Sequence, residues 1–172
     1  MISSPLSIVL VEPEIPPNTG TIARLCAATG ACLHLVRPLG FRTDDRSLKR
    51  AGLDYWHLVR IRYWESLAAF LAASERHRLH LLSKKVSRPY TAARFAPGDL
   101  LVFGKETKGL PDDLLTAYAD RCLTIPMAHP EVRSINLAVA AGIVLYEGLR
   151  QLGWPLAASR GDEPQGQAGG PL

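Results

Sequence analysis

The chain has 172 residues, of which 47% are apolar and 21% are charged, a composition typical of a folded protein and not of a disordered one. This length is sufficient to bury a core without disulfides or a structural metal, so we expect a single domain. Lysine and arginine number 20 against 16 acidic residues, which gives a formal charge of +4 and permits contact with a polyanion such as nucleic acid.

The start of the chain and its longest apolar run bear on where the protein acts. The first apolar run ends at Glu12 without a basic leader, and the longest run, between Leu137 and Tyr146, is also too short to cross a bilayer. Cys26, Cys32 and Cys122 lie beside aliphatic residues and show no CxxC spacing, which is typical of buried thiols. We therefore expect a cytoplasmic protein that does not enter a membrane.

Short β-branched runs alternate with longer stretches of helical periodicity along the chain. This alternation is typical of an α/β sandwich with a mostly parallel sheet between layers of helices. We predict strands at 6–11, 31–36, 57–61, 79–82, 100–103 and 122–125. We predict helices at 18–29, 44–51, 65–76, 112–118 and 135–152. From residue 155 the chain is rich in Ala, Gly, Ser, Gln and Pro, so we expect a folded domain at 1–154 and a disordered tail at 155–172.

The first predicted helix carries terminal signals and follows a proline-rich loop. Asn18 is a candidate N-cap and Gly30 a candidate left-handed C-terminal residue, which would put Arg24 in the second helical turn. The preceding loop, from Glu12 to Gly20, lacks the GxGxxG spacing of a dinucleotide site. A Rossmann cofactor site is therefore not expected there.

A second segment, from Leu100 to Pro111, is a strand that leads into a loop with glycines at 104 and 109. Leu110 and Pro111 follow the second glycine, whereas a P-loop needs Lys and then Ser or Thr. Glycine at the carboxyl end of a strand allows close approach of a ligand to the backbone. A structural turn explains the segment equally well.

A third segment, from Thr124 to Leu137, leaves a strand, passes through a loop and enters the last helix. Ser134 is placed to cap that helix, but capping does not explain Arg133 and Asn136 at the mouth of an otherwise apolar helix. His77 and His80 form an HxxH without a third ligand, so we expect no metal site.

The last predicted helix has few polar positions. Asn136, Glu147, Arg150 and Gln151 interrupt its apolar surface, whereas a helix on a sheet usually keeps a solvated face. We predict that its second face meets another subunit of a homodimer. Enclosure of the helix in the core of one chain is the alternative.

The three segments together resemble the three motifs of the SPOUT methyltransferases. The runs Glu12–Arg24, Arg37–Phe41 and Arg50–Tyr55 are most similar to the subfamily that methylates the ribose 2′-hydroxyl of the wobble nucleotide, a cytidine or uridine at position 34 of tRNA. The resemblance covers roughly residues 6 to 154. It implies a C-terminal trefoil knot, S-adenosylmethionine as cofactor, contact with the anticodon region of tRNA, and a homodimer.

The resemblance also assigns roles to individual residues. It implies that Leu82, Gly104, Ile125 and Ser134 line the cofactor cleft, with Met127, Gly109 and Leu110 close by. It implies that Arg24 assists loss of the hydroxyl proton, and that Asn18, Ser134 and Asn136 orient the ribose or shape the cofactor loop. Because a guanidinium cannot act as a simple base, we expect either an RNA phosphate held by Arg24 or a transiently neutral guanidine to accept the proton.

Two other functions are compatible with the same motifs. One is 2′-O-methylation of rRNA, which often involves an added RNA-binding domain that this sequence does not show. The other is RNA binding without catalysis on the same fold. Lys105, where relatives often have Pro, and His129-Pro130 inside the third loop depart from the family pattern.

Overall fold

The computed structural model describes residues 5–42 and 53–153. Six strands are present: β1 (Leu6–Val11), β2 (Cys32–Val36), β3 (Ile61–Trp64), β4 (Leu79–Leu82), β5 (Asp99–Phe103) and β6 (Cys122–Leu123). Four α-helices accompany them: α1 (Pro16–Thr29), α2 (Leu67–Ala73), α3 (Asp112–Ala117) and α4 (Leu137–Gln151). Short 3₁₀ helices lie at Leu53–Leu58, Tyr90–Ala92 and Ala119–Arg121. The predicted helix at 44–51 and the predicted tail at 155–172 lie outside the described residues.

All six strands form one sheet in the order β3-β2-β1-β5-β4-β6, and every pairing between neighbours is parallel. The central strands β1 and β5 are buried along their whole length, as expected where helices cover both faces of a parallel sheet. The predicted α/β class with a mostly parallel sheet between helices is confirmed.

Alternating side chains divide the core into two layers. Leu6, Ile8 and Leu10 point to the face that α1 and α4 cover, where Ile22 and Val144 meet them. Val9 and Val11 point to the opposite face, which α2 and α3 cover. Helices α1 and α4 share one face, and their amino-terminal ends lie close together, since Asn136 Nδ2 donates to Asn18 Oδ1 at 3.0 Å.

The third strand differs from its prediction. The predicted strand at 57–61 is wrong, because Leu53–Leu58 is a 3₁₀ helix and the strand begins at Ile61. Tertiary contacts decide the outcome: Leu33 to Val36 pair with Ile61 to Trp64, and Trp64 packs edge-on against Phe70. The residue types at 57–61 are as compatible with a strand as those at 61–64, so propensity alone does not distinguish the two segments.

Both predicted N-caps are wrong. Helix α1 begins at Pro16 with Ile15 as its N-cap, since proline is preorganised for a first helical turn, and Asn18 lies inside the helix. Arg24 is therefore in the third turn and not the second. Helix α4 is capped by Asn136, whose side chain accepts from Ala138 N and Val139 N, and not by Ser134. The C-terminal prediction is confirmed, because Gly30 has a φ of 71°.

The remaining structural predictions concern cysteines, histidines and membranes. All three cysteines are buried, as predicted, and burial raises the pKa of Cys26 far above its ordinary value. His80 Nε2 lies 2.8 Å from Asp99 Oδ2. No helix within residues 5–42 and 53–153 is long and apolar enough to span a bilayer.

His34 lies in an aromatic cluster on the α2 side of the sheet. It stacks on Trp64 at 5.9 Å between ring centroids and meets Phe70 edge-on at 6.2 Å, and its Nδ1 accepts a 3.2 Å hydrogen bond from Trp64 Nε1. Desolvation, together with nearby Arg62 and His77, lowers the pKa of His34 from 6.5 to about 4. The folded protein therefore holds this imidazole neutral.

This shift predicts an acid-sensitive stability. Because the folded pKa lies below the unfolded one, protonation favours the unfolded chain as the pH falls from about 6.5 towards 4. Between pH 7 and 4.5 we expect the wild type to lose about 2 kcal/mol more unfolding free energy than His34→Leu. Urea titrations of both proteins at both pH values measure the difference, and the comparison cancels the contribution of His80. Equal losses in the two proteins would contradict the assignment.

Candidate active site

A cleft of about 510 Å³ opens at the carboxyl edge of the sheet, where ligands bind in open α/β folds. Its floor is formed by the ends of β4 and β5 and by the residues after β6. The first turns of α1 and α4 close its sides through Asn18, Leu137 and Ala140. The cleft thus lies where four separate chain segments meet.

The backbone conformation of the loop after β5 requires glycine at two positions. Gly109 has a φ of 72° and donates from its amide to Lys105 O at 2.8 Å, which folds the loop back on itself. A Cβ on Gly104 would lie 2.0 Å from the carbonyl carbon of Gly109 and 2.2 Å from Leu110 N. The glycine at 104 is required because the returning loop crosses directly over it.

Glu106, at the tip of that loop, holds the start of α1. Its Oε2 accepts from Glu14 N at 2.8 Å, and its Oε1 accepts from Ile15 N at 3.2 Å and from Asn18 Nδ2 at 3.0 Å. Pro16 and Pro17 have no amide hydrogen, and Asn18 N donates to Ile15 O. Glu106 therefore binds the amides of the two residues just before the helix, Glu14 and Ile15. The carboxylate also lies at the positive end of the α1 dipole.

The loop after β5 also donates hydrogen bonds to the segment before α1. Glu14 Oε2 accepts from Thr107 Oγ1 at 2.8 Å and from Thr107 N at 3.2 Å. Lys105 Nζ forms a 2.6 Å ion pair with Glu12, and this hydrogen bond raises the pKa of Lys105. The lysine that departs from the family pattern therefore adds a further tie between β1 and the β5 loop.

Asn18 and Asn136 join α1 to α4. The side-chain amide Nδ2 of Asn136 donates to Asn18 Oδ1 at 3.0 Å, while Asn136 Oδ1 caps α4. Asn18 is only 8% exposed and donates in turn to Glu106. A continuous chain of hydrogen bonds thus runs from the β5 loop through α1 to the first turn of α4.

The structure brings most of the residues singled out in the sequence into one cleft. Its lining includes Leu82, Gly104, Gly109, Ile125, Met127, Ser134, Asn18 and Asn136. Leu110 is the exception among the predicted cofactor residues: its side chain is buried in the core layer beneath α2 and α3, and only its backbone approaches Gly104.

Arg24 does not line the cleft of its own chain. Six residues separate it from Asn18, which at about 100° per residue turns its side chain roughly 120° away and moves it about 9 Å along the helix. Its guanidinium lies over the ring of Tyr55 at 5.1 Å from the centroid, a favourable cation–π contact. The sequence reasoning missed Tyr55, although it ends one of the family-like runs.

Four basic side chains lie at the mouth of the cleft, and only Arg133 was singled out in the sequence. Lys84, Lys85, Lys108 and Arg133 belong to its lining. Lys85 pairs with Asp112 at 2.6 Å, and Lys84 donates to the Arg133 carbonyl at 2.8 Å, which leaves the positive charge of Lys84 uncompensated by that bond. The adjacent lysines directly after β4 were the sequence signal for a site that meets an anion.

The cleft offers binding surface and no free side-chain base. Its walls combine apolar side chains with exposed backbone groups of the loops after β5 and β6. Among its described lining residues there is no histidine or cysteine, and the single carboxylate, Glu106, is engaged by three donors. Such a site suits the holding of two reactants close together better than proton abstraction by its own residues.

This fold and cleft define an α/β enzyme that binds its ligand at the carboxyl edge of a parallel sheet. The chain belongs to the SpoU rRNA methylase family, whose model matches residues 5–146. It is 48% identical over 156 residues to the tRNA (cytidine(34)-2'-O)-methyltransferase of Escherichia coli (strain K12), covering 90% of this chain and 99% of that protein.

Two solved structures extend the comparison. One, described as giving structural insights into the 2-OH methylation of C/U34 on tRNA, has a TM-score of 0.82 and 50% identity, and the match covers 86% of this chain and 96% of that one. The other is the SpoU methyltransferase AviRb from Streptomyces viridochromogenes in complex with AdoMet. It has a TM-score of 0.74 and 26% identity, with coverage of 88% and 59%.

The capping role of Glu106 leads to a stability prediction. We expect Glu106→Gln to lower the free energy of unfolding by about 1–2 kcal/mol, because one carboxylate oxygen becomes an NH₂ group that faces donors. Denaturant titration measures this change. Glu131→Gln, at an exposed loop position, serves as the matched control and is expected to be neutral; equal stability of the two variants would disprove the capping role.

Proposed function

We propose that this protein transfers a methyl group from S-adenosylmethionine to the ribose 2′-hydroxyl of the wobble nucleotide, a cytidine or uridine at position 34, of cytoplasmic tRNA. The observation that carries the proposal is that residues of three separated family-like segments line one cleft at the carboxyl edge of the sheet. The high identity to a tRNA (cytidine(34)-2'-O)-methyltransferase over nearly the full length of both chains supports the choice of RNA.

The residues present fit this cofactor. The cleft volume of about 510 Å³ lies in the range of small-molecule sites. Leu82, Ile125 and Met127 offer apolar contacts for an adenine, and the backbone of the loops after β5 and β6 offers donors and acceptors. When bound, the cofactor supplies an electrophilic methyl group on a sulfonium. The trefoil knot implied by the resemblance stays a prediction of this proposal.

The chain's own residues contribute position and charge. Asn18 and Asn136 present amide groups at the junction of α1 and α4, where they orient the ribose, and Ser134 shapes the loop that covers the cofactor. Arg24 holds an RNA phosphate beside the 2′-hydroxyl through its planar fork. The proton passes to that phosphate or to a transiently neutral guanidine of Arg24, since the cleft has no free base.

The orientation of Arg24 supports a site that includes a second subunit. In one chain its side chain faces away from Asn18 and rests on Tyr55, and it is not part of the lining of its own cleft, which favours action on the cleft of another copy. Helix α4 supplies the contact: Val139 is 53% and Tyr146 is 49% exposed, and with Ile143 they form one apolar stripe at helical spacing. We infer a homodimer through α4 in which each Arg24 serves the partner's cleft.

The activity is tested with purified protein, labelled S-adenosylmethionine and total tRNA, followed by nucleoside mapping. The expected product is a 2′-O-methylated nucleotide at position 34. Methylation of rRNA alone would establish the first alternative function, and tRNA binding without methyl transfer would establish the second. Either outcome would overturn the proposal.

Loss of Arg24 should affect turnover and not the fold. We expect Arg24→Ala to lower the single-turnover rate at saturating tRNA and cofactor by on the order of a hundredfold or more, with melting temperature and cofactor affinity retained. Arg24→Lys should not rescue the rate, because it lacks the planar fork. A wild-type rate under saturation would reduce Arg24 to a phosphate anchor.

The same variant shows which subunit Arg24 serves. Arg24→Ala is co-expressed with Met127→Trp, which obstructs the cleft from a loop position, and the mixed dimer is isolated with two affinity tags. If Arg24 acts across the interface, the Arg24→Ala chain has an open cleft and receives Arg24 from the Met127→Trp chain, so one of the two sites is intact. We then expect about half of the wild-type activity per dimer. An inactive mixed dimer would place Arg24 and the cleft of the same chain together.

The dimer interface is tested separately. Val139→Glu should dissociate the dimer, because association would bury an unpaired carboxylate. Tyr63→Glu replaces an exposed apolar side chain on β3, 41% exposed against 53% for Val139, at the far edge of the sheet, and should leave the dimer intact. Light scattering measures the mass of both; a monomeric wild type, or a dimeric Val139→Glu protein, would contradict an α4 interface.

A further inference from the structure

A second cleft, which we call the arginine cleft, lies at the amino end of β4. It has a volume of about 670 Å³. Leu79 and His80 of β4 line it, whereas Leu82 at the other end of the same strand lines the active-site cleft. Its other lining residues are Glu75, Arg76, His77, Arg78, Arg88, Ala92, Ala93, Arg94, Asp120 and Arg121. The two clefts are therefore separated by the length of one four-residue strand, about 13 Å.

The charge of this cleft is strongly one-sided. Five arginines and two carboxylates line it, an excess of three positive charges, whereas the formal charge of the whole chain is +4. The excess of positive charge in this cleft is thus close in size to the net charge of the whole chain. A concave surface lined by one sign of charge concentrates the opposite charge.

Two of these arginines are held in place by backbone carbonyls. Arg88 donates to the carbonyls of Asp120 at 2.9 Å and Ala92 at 3.3 Å, and Arg78 donates to the carbonyl of Arg94 at 3.1 Å. Backbone carbonyls fix a guanidinium but carry no formal charge. Both side chains are therefore oriented, which lowers the entropic cost of binding an anion. Arg78 also forms an ion pair with Asp99 at 3.9 Å, so Arg88 is the less compensated of the two.

The carboxylate beneath the cleft is already engaged. Asp99 is 3% exposed; its Oδ2 lies 2.8 Å from His80 Nε2 and accepts from Ala96 N at 2.9 Å. Its Oδ1 lies 3.9 Å from Arg78 Nε. Asp99 is thus buried beneath the cleft, where its ion pair offsets part of the charge of Arg78 and leaves the other arginines unaffected.

Arg76 and Arg94 complete the cleft as open donors. Within residues 5–42 and 53–153, neither guanidinium has an ion pair or a hydrogen bond, whereas Arg121 stacks on Tyr118 at 5.4 Å. Planar guanidinium groups match phosphate oxygens in a bidentate manner. The cleft thus combines arginines that backbone carbonyls hold in place with arginines that have free donors. Such a cluster suits a ligand that carries several phosphates.

We propose that the arginine cleft binds the sugar–phosphate backbone of the tRNA while its target nucleotide occupies the active-site cleft. This rests on the proposed function only in taking tRNA as the substrate. The two clefts lie at opposite ends of β4 and are at least about 13 Å apart. A tRNA is longer than this, so one molecule that follows the surface of the protein can reach both. The contacts add affinity and fix orientation without reading sequence.

The test uses full-length tRNA and the double variant Arg76→Gln/Arg94→Gln, which removes the two open guanidiniums and none of the fixed ones. Removal of two phosphate contacts should weaken the Kd for tRNA about tenfold and make the slope of log K against log salt shallower by about 2. Calorimetry with S-adenosylmethionine should show unchanged cofactor affinity, which verifies the fold.

The matched control removes the same charge from the opposite edge of the sheet. Arg37→Gln/Arg62→Gln, in and beside the β2–β3 pair, should retain the wild-type Kd and salt slope. Equal losses in both double variants would indicate a general effect of net charge and overturn the proposal. Displacement of tRNA by submillimolar inorganic phosphate would also overturn it, because that identifies a site for a small anion.

Failure of this inference is distinguishable from failure of the proposed function. Wild-type methylation of tRNA is measured in parallel with binding. If the wild type methylates position 34 and Arg76→Gln/Arg94→Gln binds tRNA as tightly as the wild type, the active-site assignment stands and the arginine cleft has no role in binding.

Discussion

The carboxylate of Glu106 is the contact on which the shape of the active site depends. Helix α1 begins directly after an extended loop, and its N-cap, Ile15, has no polar side chain. The amides of Glu14 and Ile15, just before the helix, need an acceptor, and a charged acceptor forms the stronger hydrogen bonds. Glu106 supplies it from 91 residues away, so the start of α1 and the loop after β5 can form only together.

The asparagine pair extends this dependence to the last helix. Asn18 accepts from Asn136 and donates to Glu106, while the oxygen of Asn136 caps α4. The walls of the cleft are thus set by directional hydrogen bonds, whereas the sheet below is set by apolar packing. Directional contacts fix the positions of reacting groups more closely than packing does, which suits a site that acts by holding its substrates in place.

The strands of the sheet were predictable because burial on both faces produces continuous apolar runs, as in β1 and β5. The third strand was not, because pairing with β2 and the packing of Trp64 select residues 61–64 over residues with a similar pattern. The predicted N-caps were wrong for a related reason. Local sequence shows Asn18 and Ser134 as acceptors, but it does not show that Glu106 already occupies the end of α1.

The cleft was predictable as a set of residues and not as a geometry. Family-like motifs indicated which positions meet at the carboxyl edge, and most of them do. The purpose of Gly104 follows only from the coordinates, which show that the backbone of Gly109 and Leu110 fills the space above it. The orientation of Arg24 relative to Asn18 follows from their six-residue offset around α1, whereas its contact with Tyr55 follows only from the tertiary structure.

Because the two clefts lie at different ends of β4, different residues determine affinity for tRNA and selectivity among nucleotides. Phosphate contacts at the arginine cleft are the same for every tRNA, so they strengthen binding without discriminating among substrates. Discrimination must then arise at the mouth of the active-site cleft, where the loops after β4 and β6 carry Lys84 and Arg133. Because RNA loops expose their base edges, side chains on those two loops are the ones positioned to distinguish a nucleotide in an anticodon loop from one in a stem.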